Sequence, residues 1–190
     1  MILRIVDPWR STHRDCAAAL DSRALRPWAD LHTVSAPDGD RRSYPDALAA
    51  AVRLAGLCGD PLLLLEGDKV PHAGALAGMA ACPHPVCVGA YPLWPAQTGL
   101  PAAVSSAGEA KAGGIRWLRP GDEWATTAGL GIVSLRPYWC AMQSQRLVLP
   151  DWGPAFDAEV WRALGSPRIH VHWPLSAHQH SARPAARAEC

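Results

Sequence analysis

Four leucines in succession, Leu62 to Leu65, run straight into Glu66-Gly67-Asp68, and Pro71 follows three residues later. Leucines with no polar residue between them suit a strand covered on both faces, so this strand belongs inside a layered α/β protein. The surrounding pattern agrees. "LRIVD" (Leu3 to Asp7) reads as a short buried strand closed by Pro8, and Arg14 to Ala29 is helix-like in composition, with Pro27 ending or bending it. Leu31 to Pro37 reads as a second strand. The strongest helix runs from Tyr44 to Gly59, with Pro45 in its first turn, Asp46 complementing the dipole, and Gly56 or Gly59 as its end.

Beyond the leucines the spacing predicts a helix over 72–82 and a strand from Val86 to Trp94. Gln97 to Gly114, rich in Gly, Ala and Ser, reads as a long loop or irregular excursion. "IRWL" reads as a strand, and "ATTAGLGIVSLRP" as a small-residue approach to another. A helix between Pro154 and Gly165 and a short strand in "RIHVHWP" complete the order. Strands and helices that alternate in this way predict layers around a mostly parallel sheet. The 190 residues suffice for one domain over 1–180, with 181–190 as a disordered tail.

Several classes of function are disfavoured. A net charge of +1 offers no polyanion-binding surface, so no nucleic acid is expected as a partner. No Gly-x-Gly-x-x-Gly follows the first strand, and no P-loop is present. No secretory signal and no apolar run of about 18 residues is visible, so a cytoplasmic protein without a transmembrane segment is expected. Six scattered cysteines read as reduced thiols rather than a disulfide framework. Cys82 and Cys87 in "CPHPVC" stand five positions apart with no second pair following, so structural zinc is the less favoured reading there. His170 and His172 share one strand face, which suits zinc in principle. A site made from them with His178 and His180 ranks below half-buried polar histidines.

The acids after the leucines are the strongest chemical signal. In parallel sheets chemistry collects beyond the carboxyl ends of the strands. Glu66 and Asp68 stand two apart there, on one face if the chain stays extended, and Gly67 lets the backbone turn or approach a ligand. Two hard oxygen donors with room for water describe a weak magnesium or manganese site completed by substrate phosphates. The plain alternative is a solvated turn at the end of a strand.

"LLLLEGDKVP" resembles the strand and metal-binding acidic motif of nucleotide-sugar glycosyltransferases of the GT-A fold, the nucleotide-diphospho-sugar transferase superfamily. "TAGLGIVSLRP" is similar to their glycine-containing segment and following strand. "LPDWGPAFDAEVWRALGSPRIHVHWPLSAHQH" is similar to their closing order of acid, helix, strand, Pro and late His. The resemblance spans Ser43 to His180. Gly67 replaces the middle acid of the motif, and the chain is shorter than such enzymes usually are.

The resemblance implies a GT-A-like three-layer sandwich that moves a sugar from a nucleotide-diphosphate donor to a hydroxyl acceptor, a saccharide or another small molecule. It implies Mn2+ or Mg2+ held by Glu66, Asp68 and His178, with His178 preferred to His180. It implies a general base at Asp151, with Asp157 in reserve and Asp122 or Glu123 as further options. Pro8, Trp9 and Arg10 would meet the nucleotide, Arg42 the diphosphate, and Thr127 and Gly129 the sugar pocket, with Glu66 beside the donor. Apart from the resemblance, nine tryptophans against one Phe is unusual usage: several suit an acceptor cleft, and most read as core and rim packing. The alternatives are a non-catalytic or degenerate nucleotide-sugar-binding module and a sugar-1-phosphate nucleotidyltransferase. The latter should carry a glycine-rich loop after the first strand, and "VDPWRSTHRD" has no glycine.

Overall fold

The structure, a computed structural model, describes residues 2–6, 14–20, 23–26, 28, 31–35, 43–93, 100, 104–145, 147–151 and 155–178. In chain order these form β1 (Ile2–Val6), α1 (Arg14–Leu20), β2 (Leu31–Ser35), α2 (Ser43–Cys58), β3 (Leu62–Glu66), β4 (Lys69–Val70), α3 (Ala73–Ala81), β5 (Val86–Gly89) and β6 (Pro92–Leu93). There follow β7 (Val104–Ser105), β8 (Ala107–Lys111), β9 (Gly114–Trp117), β10 (Trp124–Ala125), β11 (Thr127–Ala128), β12 (Ile132–Leu135), α4 (Pro137–Ser144), α5 (Phe156–Ala163), β13 (Ile169–His172) and β14 (Ala177–His178).

A seven-stranded sheet, in the order β10-β13-β5-β12-β3-β1-β2, organises these elements. Its leucine strand is covered as the sequence requires. Leu62 and Leu64 belong to one buried cluster, with side chains of α2, α4 and α5. Leu63 and Leu65 belong to the other, with Cys16 of α1 and Leu76 and Met79 of α3. Neighbouring strands alternate likewise, Val133 and Leu135 joining the first cluster and Ile132 the second. Removing these leucines from water contributes about 2 kcal/mol each before the cost of ordering the chain.

The sheet is mixed, which departs from the mostly parallel sheet expected. β1 pairs in parallel with β2 and β3, and β13 with β5. β12 runs antiparallel between β3 and β5, and β10 antiparallel against β13. The cause lies in the connection. A parallel neighbour needs a crossover, usually a helix. After β5 the chain instead enters short antiparallel ladders, β6 with β7 and β8 with β9 and β11, touches the edge of the sheet as β10, and re-enters its middle as β12 from the opposite direction.

Two local readings change for physical reasons. Part of the excursion expected over 97–114 is the β8–β9 hairpin, closed through Gly113 and Gly114, both with positive φ. Its alanines and glycines have weak strand preference, and the cross-strand Arg116–Glu109 pair at 3.1 Å helps the ladder hold. Gly59, with φ of 71°, lies past the end of α2, whereas Gly56 serves packing. A β-carbon at Gly56 would lie 2.8 Å from the Ala141 nitrogen, so its absence lets α4 approach α2. Among the described residues no helix is long and apolar enough to cross a membrane.

Candidate functional site

At the carboxyl end of β3 the chain turns through Gly67 and Asp68 into β4, and that turn folds a lysine inward. Lys69 is 3% exposed. Its ammonium lies 3.0 Å from Glu66 Oε2 and is also paired with Asp68 Oδ1. Tyr91 places its ring 4.9 Å from Lys69 Nζ. Tyr44, from α2, donates its hydroxyl to Glu66 Oε1 at 2.9 Å. An ammonium buried without partners would cost several kcal/mol, so the two carboxylates and the ring are what let it stay charged. Burial alone would lower the pKa of Lys69. Glu66, Tyr91 and Asp68 outweigh burial and raise it above the ordinary value.

Glycines make the opposite wall. Glu66 N–H donates to the Gly131 carbonyl at 2.9 Å, and Gly131 N–H to Tyr91 Oη at 3.3 Å. A β-carbon on Gly131 would lie 2.7 Å from Lys69 Cε and 2.9 Å from the Tyr91 ring. One on Gly129 would collide with the Tyr91 hydroxyl. The two glycines of "GLG" therefore let Lys69 and Tyr91 lie flush against the approach to β12.

Asp157 reaches this centre from the first turn of α5, 91 positions after Glu66 in the sequence. The helix is seated by Trp161, whose indole donates to the Ala128 carbonyl, and by Phe156, whose ring meets Tyr44 edge-on at 5.5 Å. As a residue Asp157 is half-buried, but its carboxyl is enclosed. Burial, then the nearby charge of Glu66, pushes the carboxyl up to about 7, against the pull of a Leu130 backbone hydrogen bond and Lys69. Tyr44 and Tyr91 are raised too, chiefly by burial, so both stay protonated at ordinary pH.

The other expected site residues distribute as follows. His178 stands in β14 at the register position opposite Lys69, which brings its backbone beside the acid turn. Asp151 is exposed on the way to α5. Thr127 is half-buried in β11, paired with Gly108. Gly129 packs against Tyr91. Of the two further acids, Asp122 holds Arg116 through Oδ2 at 3.3 Å, and Glu123 lies beside β13, where its carbonyl accepts from Val171 N–H. Pro8, Trp9, Arg10 and Arg42 lie outside the described residues. Sequence patterning does not single out Lys69, Tyr44 or Tyr91 as site residues. For Lys69 a signal existed, since a lysine within three residues of two acids at a strand end can neutralise them. Nothing local marks either tyrosine.

The acid pair suits a divalent cation in donor type, and its two oxygens already converge on one positive point, Lys69 Nζ. A second set of possible ligands, Cys82, Cys87, His170 and His172, has its donor atoms within 4.8 Å of one another and could hold a metal ion of its own. Next to Tyr91 in sequence, Pro92 opens a groove of about 560 Å³ with Trp117, Trp173, Leu175, Arg116 and Arg119 along it.

Fold and site together define a mixed α/β protein with an acid–lysine–tyrosine centre at the end of an inner strand. No protein-family model matches the chain, and no curated protein matches its sequence. Among solved structures, A197 from STIV superposes with a TM-score of 0.62 at 14% identity, covering 94% of each chain. A UDP-glucose pyrophosphorylase complexed with UDP-glucose reaches 0.48 at 14%, covering 92% of this chain and 73% of that one. An apo UDP-glucose pyrophosphorylase reaches 0.45 at 15%, covering 93% and 74%. The first likeness is one of fold. The other two are weak structural similarities to a nucleotide-sugar enzyme.

Proposed function

We propose that this chain binds a nucleotide-diphosphate sugar at the carboxyl end of β3 and transfers the sugar to a hydroxyl-bearing acceptor, with Mn2+ or Mg2+ as cofactor, on a GT-A-like fold. One observation carries the proposal. Glu66 and Asp68 from the β3 turn, Asp157 from α5 and the backbone of His178 from β14 converge around Lys69. A carboxyl pushed up toward neutrality beside other acids at the end of a sheet strand is a common mark of chemistry.

The steps fall to the chain's own residues. Asp157 is poised near neutrality, where a carboxyl exchanges protons most effectively. It takes the acceptor hydroxyl's proton while the acceptor oxygen bonds to the anomeric carbon. The bond from that carbon to the diphosphate oxygen breaks, and its electron pair leaves with the diphosphate. Asp151, the base the resemblance prefers, is exposed. Lys69 supplies positive charge for the departing group, and a divalent ion held by Glu66, Asp68 and His178 would add to it. Trp117 and Trp173 give the groove the flat apolar walls that suit a saccharide acceptor.

Lys69 also favours a second reading. Its ammonium is already paired with the two acids that would hold a metal, which suits a degenerate module that binds nucleotide sugars without turning them over. Titration calorimetry with manganese and UDP or GDP, followed by release of nucleoside diphosphate from a panel of donor sugars, separates the readings. Asp68→Ala, with its fold checked by circular dichroism, should abolish both binding and release. Binding without release by the natural chain supports the module, and turnover unchanged in Asp68→Ala would overturn the site.

A further inference from the structure

We propose that Cys82, Cys87, His170 and His172 form a closed zinc site that ties the C-terminal end of α3 and strand β5 to strand β13. The sequence supplies these residues as two unremarkable pairs, and the parallel pairing of His170 with Cys87 joins them. Cys82 caps α3, Cys87 lies in β5, and the histidines project from β13. Cys82 Sγ lies 2.7 Å from Cys87 Sγ and 3.5 Å from His170 Nδ1, and His170 Nδ1 lies 3.1 Å from His172 Nε2.

A tetrahedral zinc with bonds of about 2.0–2.3 Å holds its ligand atoms about 3.3–3.8 Å apart. The nitrogen–nitrogen and sulfur–nitrogen contacts are already close to that spacing. The two sulfurs need to part by about 1 Å. Both cysteines are free and buried. Two thiolates with two neutral imidazoles form a soft set that selects zinc over magnesium or manganese, so this site is chemically distinct from the acid turn.

The surroundings fit the same assignment. His172 presses its Nδ1 against Gly78, where a β-carbon would lie 2.6 Å away, and this leaves Nε2 facing the cluster. The positive charge of Arg136 lies close enough to the Cys87 sulfur to act on it. Arg136 is itself anchored to the Ala80 carbonyl at 3.1 Å. His84 meets Trp124 edge-on and His170 at a tilt, from outside the four-atom group. With four protein ligands and no open position, the role is structural. It also has reach: β13 continues through Ser176, which holds His72 N–H at 2.9 Å, into β14 beside Lys69.

The test uses the full chain under reducing conditions. Elemental analysis of the purified protein should find one zinc per chain. Titration of metal-free protein with cobalt should give the thiolate charge-transfer and d–d bands of a tetrahedral two-sulfur, two-nitrogen site, displaced by zinc. Chelation should lower the thermal midpoint, and zinc should restore it. Cys87→Ser and His170→Ala should weaken cobalt binding at least 100-fold, while His84→Ala binds as the natural chain does. If the variants fail to fold, the cobalt titration of the natural chain still decides. Absent tetrahedral bands, a thermal midpoint indifferent to chelator, or a Cys82–Cys87 disulfide persisting under reductant would each overturn the assignment. Asp68→Ala leaves these readouts unchanged, so failure of the donor site is distinguishable from failure of this one.

Discussion

Replacing Asp157 by asparagine tests the central electrostatic claim through stability, without knowledge of any substrate. A carboxyl whose pKa moves from 3.8 unfolded to about 7 folded binds its proton more tightly in the native state. Its contribution is therefore fully present below pH 3.8 and is lost as pH rises to about 7. Each pH unit in that window costs the fold about 1.4 kcal/mol. Between pH 5 and pH 8 the natural protein should thus lose about 2–3 kcal/mol from this group alone, whereas the Asp157→Asn variant, whose amide never ionises, should not. The amide oxygen of that variant can keep the Leu130 backbone contact, so the comparison isolates charge. Urea unfolding of both proteins at half-unit pH steps measures the difference directly. The advantage of Asp157→Asn should grow by that amount toward pH 8. A difference that stays flat with pH, or one that favours the natural protein at high pH, would refute the enclosed carboxyl beside Glu66.

Lys69→Met removes the cation from between two half-buried acids, whose side chains are 22% and 26% exposed. It should destabilise the fold by about 1–3 kcal/mol in chemical denaturation, less than for a fully buried pair. The same variant should bind manganese more tightly by calorimetry, since the acids lose their internal competitor; weaker binding would place the ion elsewhere. Gly131→Ala drives a methyl into Lys69 and Tyr91, and should cost about 1–3 kcal/mol, read as a lower thermal midpoint. The donor-release assay on Asp68→Ala and the cobalt titration of the Cys/His cluster complete the set.

Local chemistry writes much of this protein into its sequence. Unbroken leucines demand two-sided cover, Pro45 and Asp46 open a helix, and Glu66-Gly67-Asp68 marks where an inner strand must leave the core. Such signals depend on neighbours a few positions away, so a linear reading captures them. The reversed direction of β12 does not, because direction follows from how the intervening chain travels rather than from the composition of "IVSL". The Arg136-to-Ser144 turn into α4 is equally silent, since the helix is held by its approach to Gly56 of α2.

The functional centres divide in the same way. That Glu66 and Asp68 stand together is legible from their spacing. That Lys69 neutralises them, that Tyr44 and Tyr91 hold the pair, and that Asp157 shares their field required the chain to close over long separations. Cys82 with Cys87 and His170 with His172 are each unconvincing as a metal site alone. Only the hydrogen-bonded register of β5 with β13 brings the four donors to one point, because sheet pairing joins segments that sequence distance keeps apart.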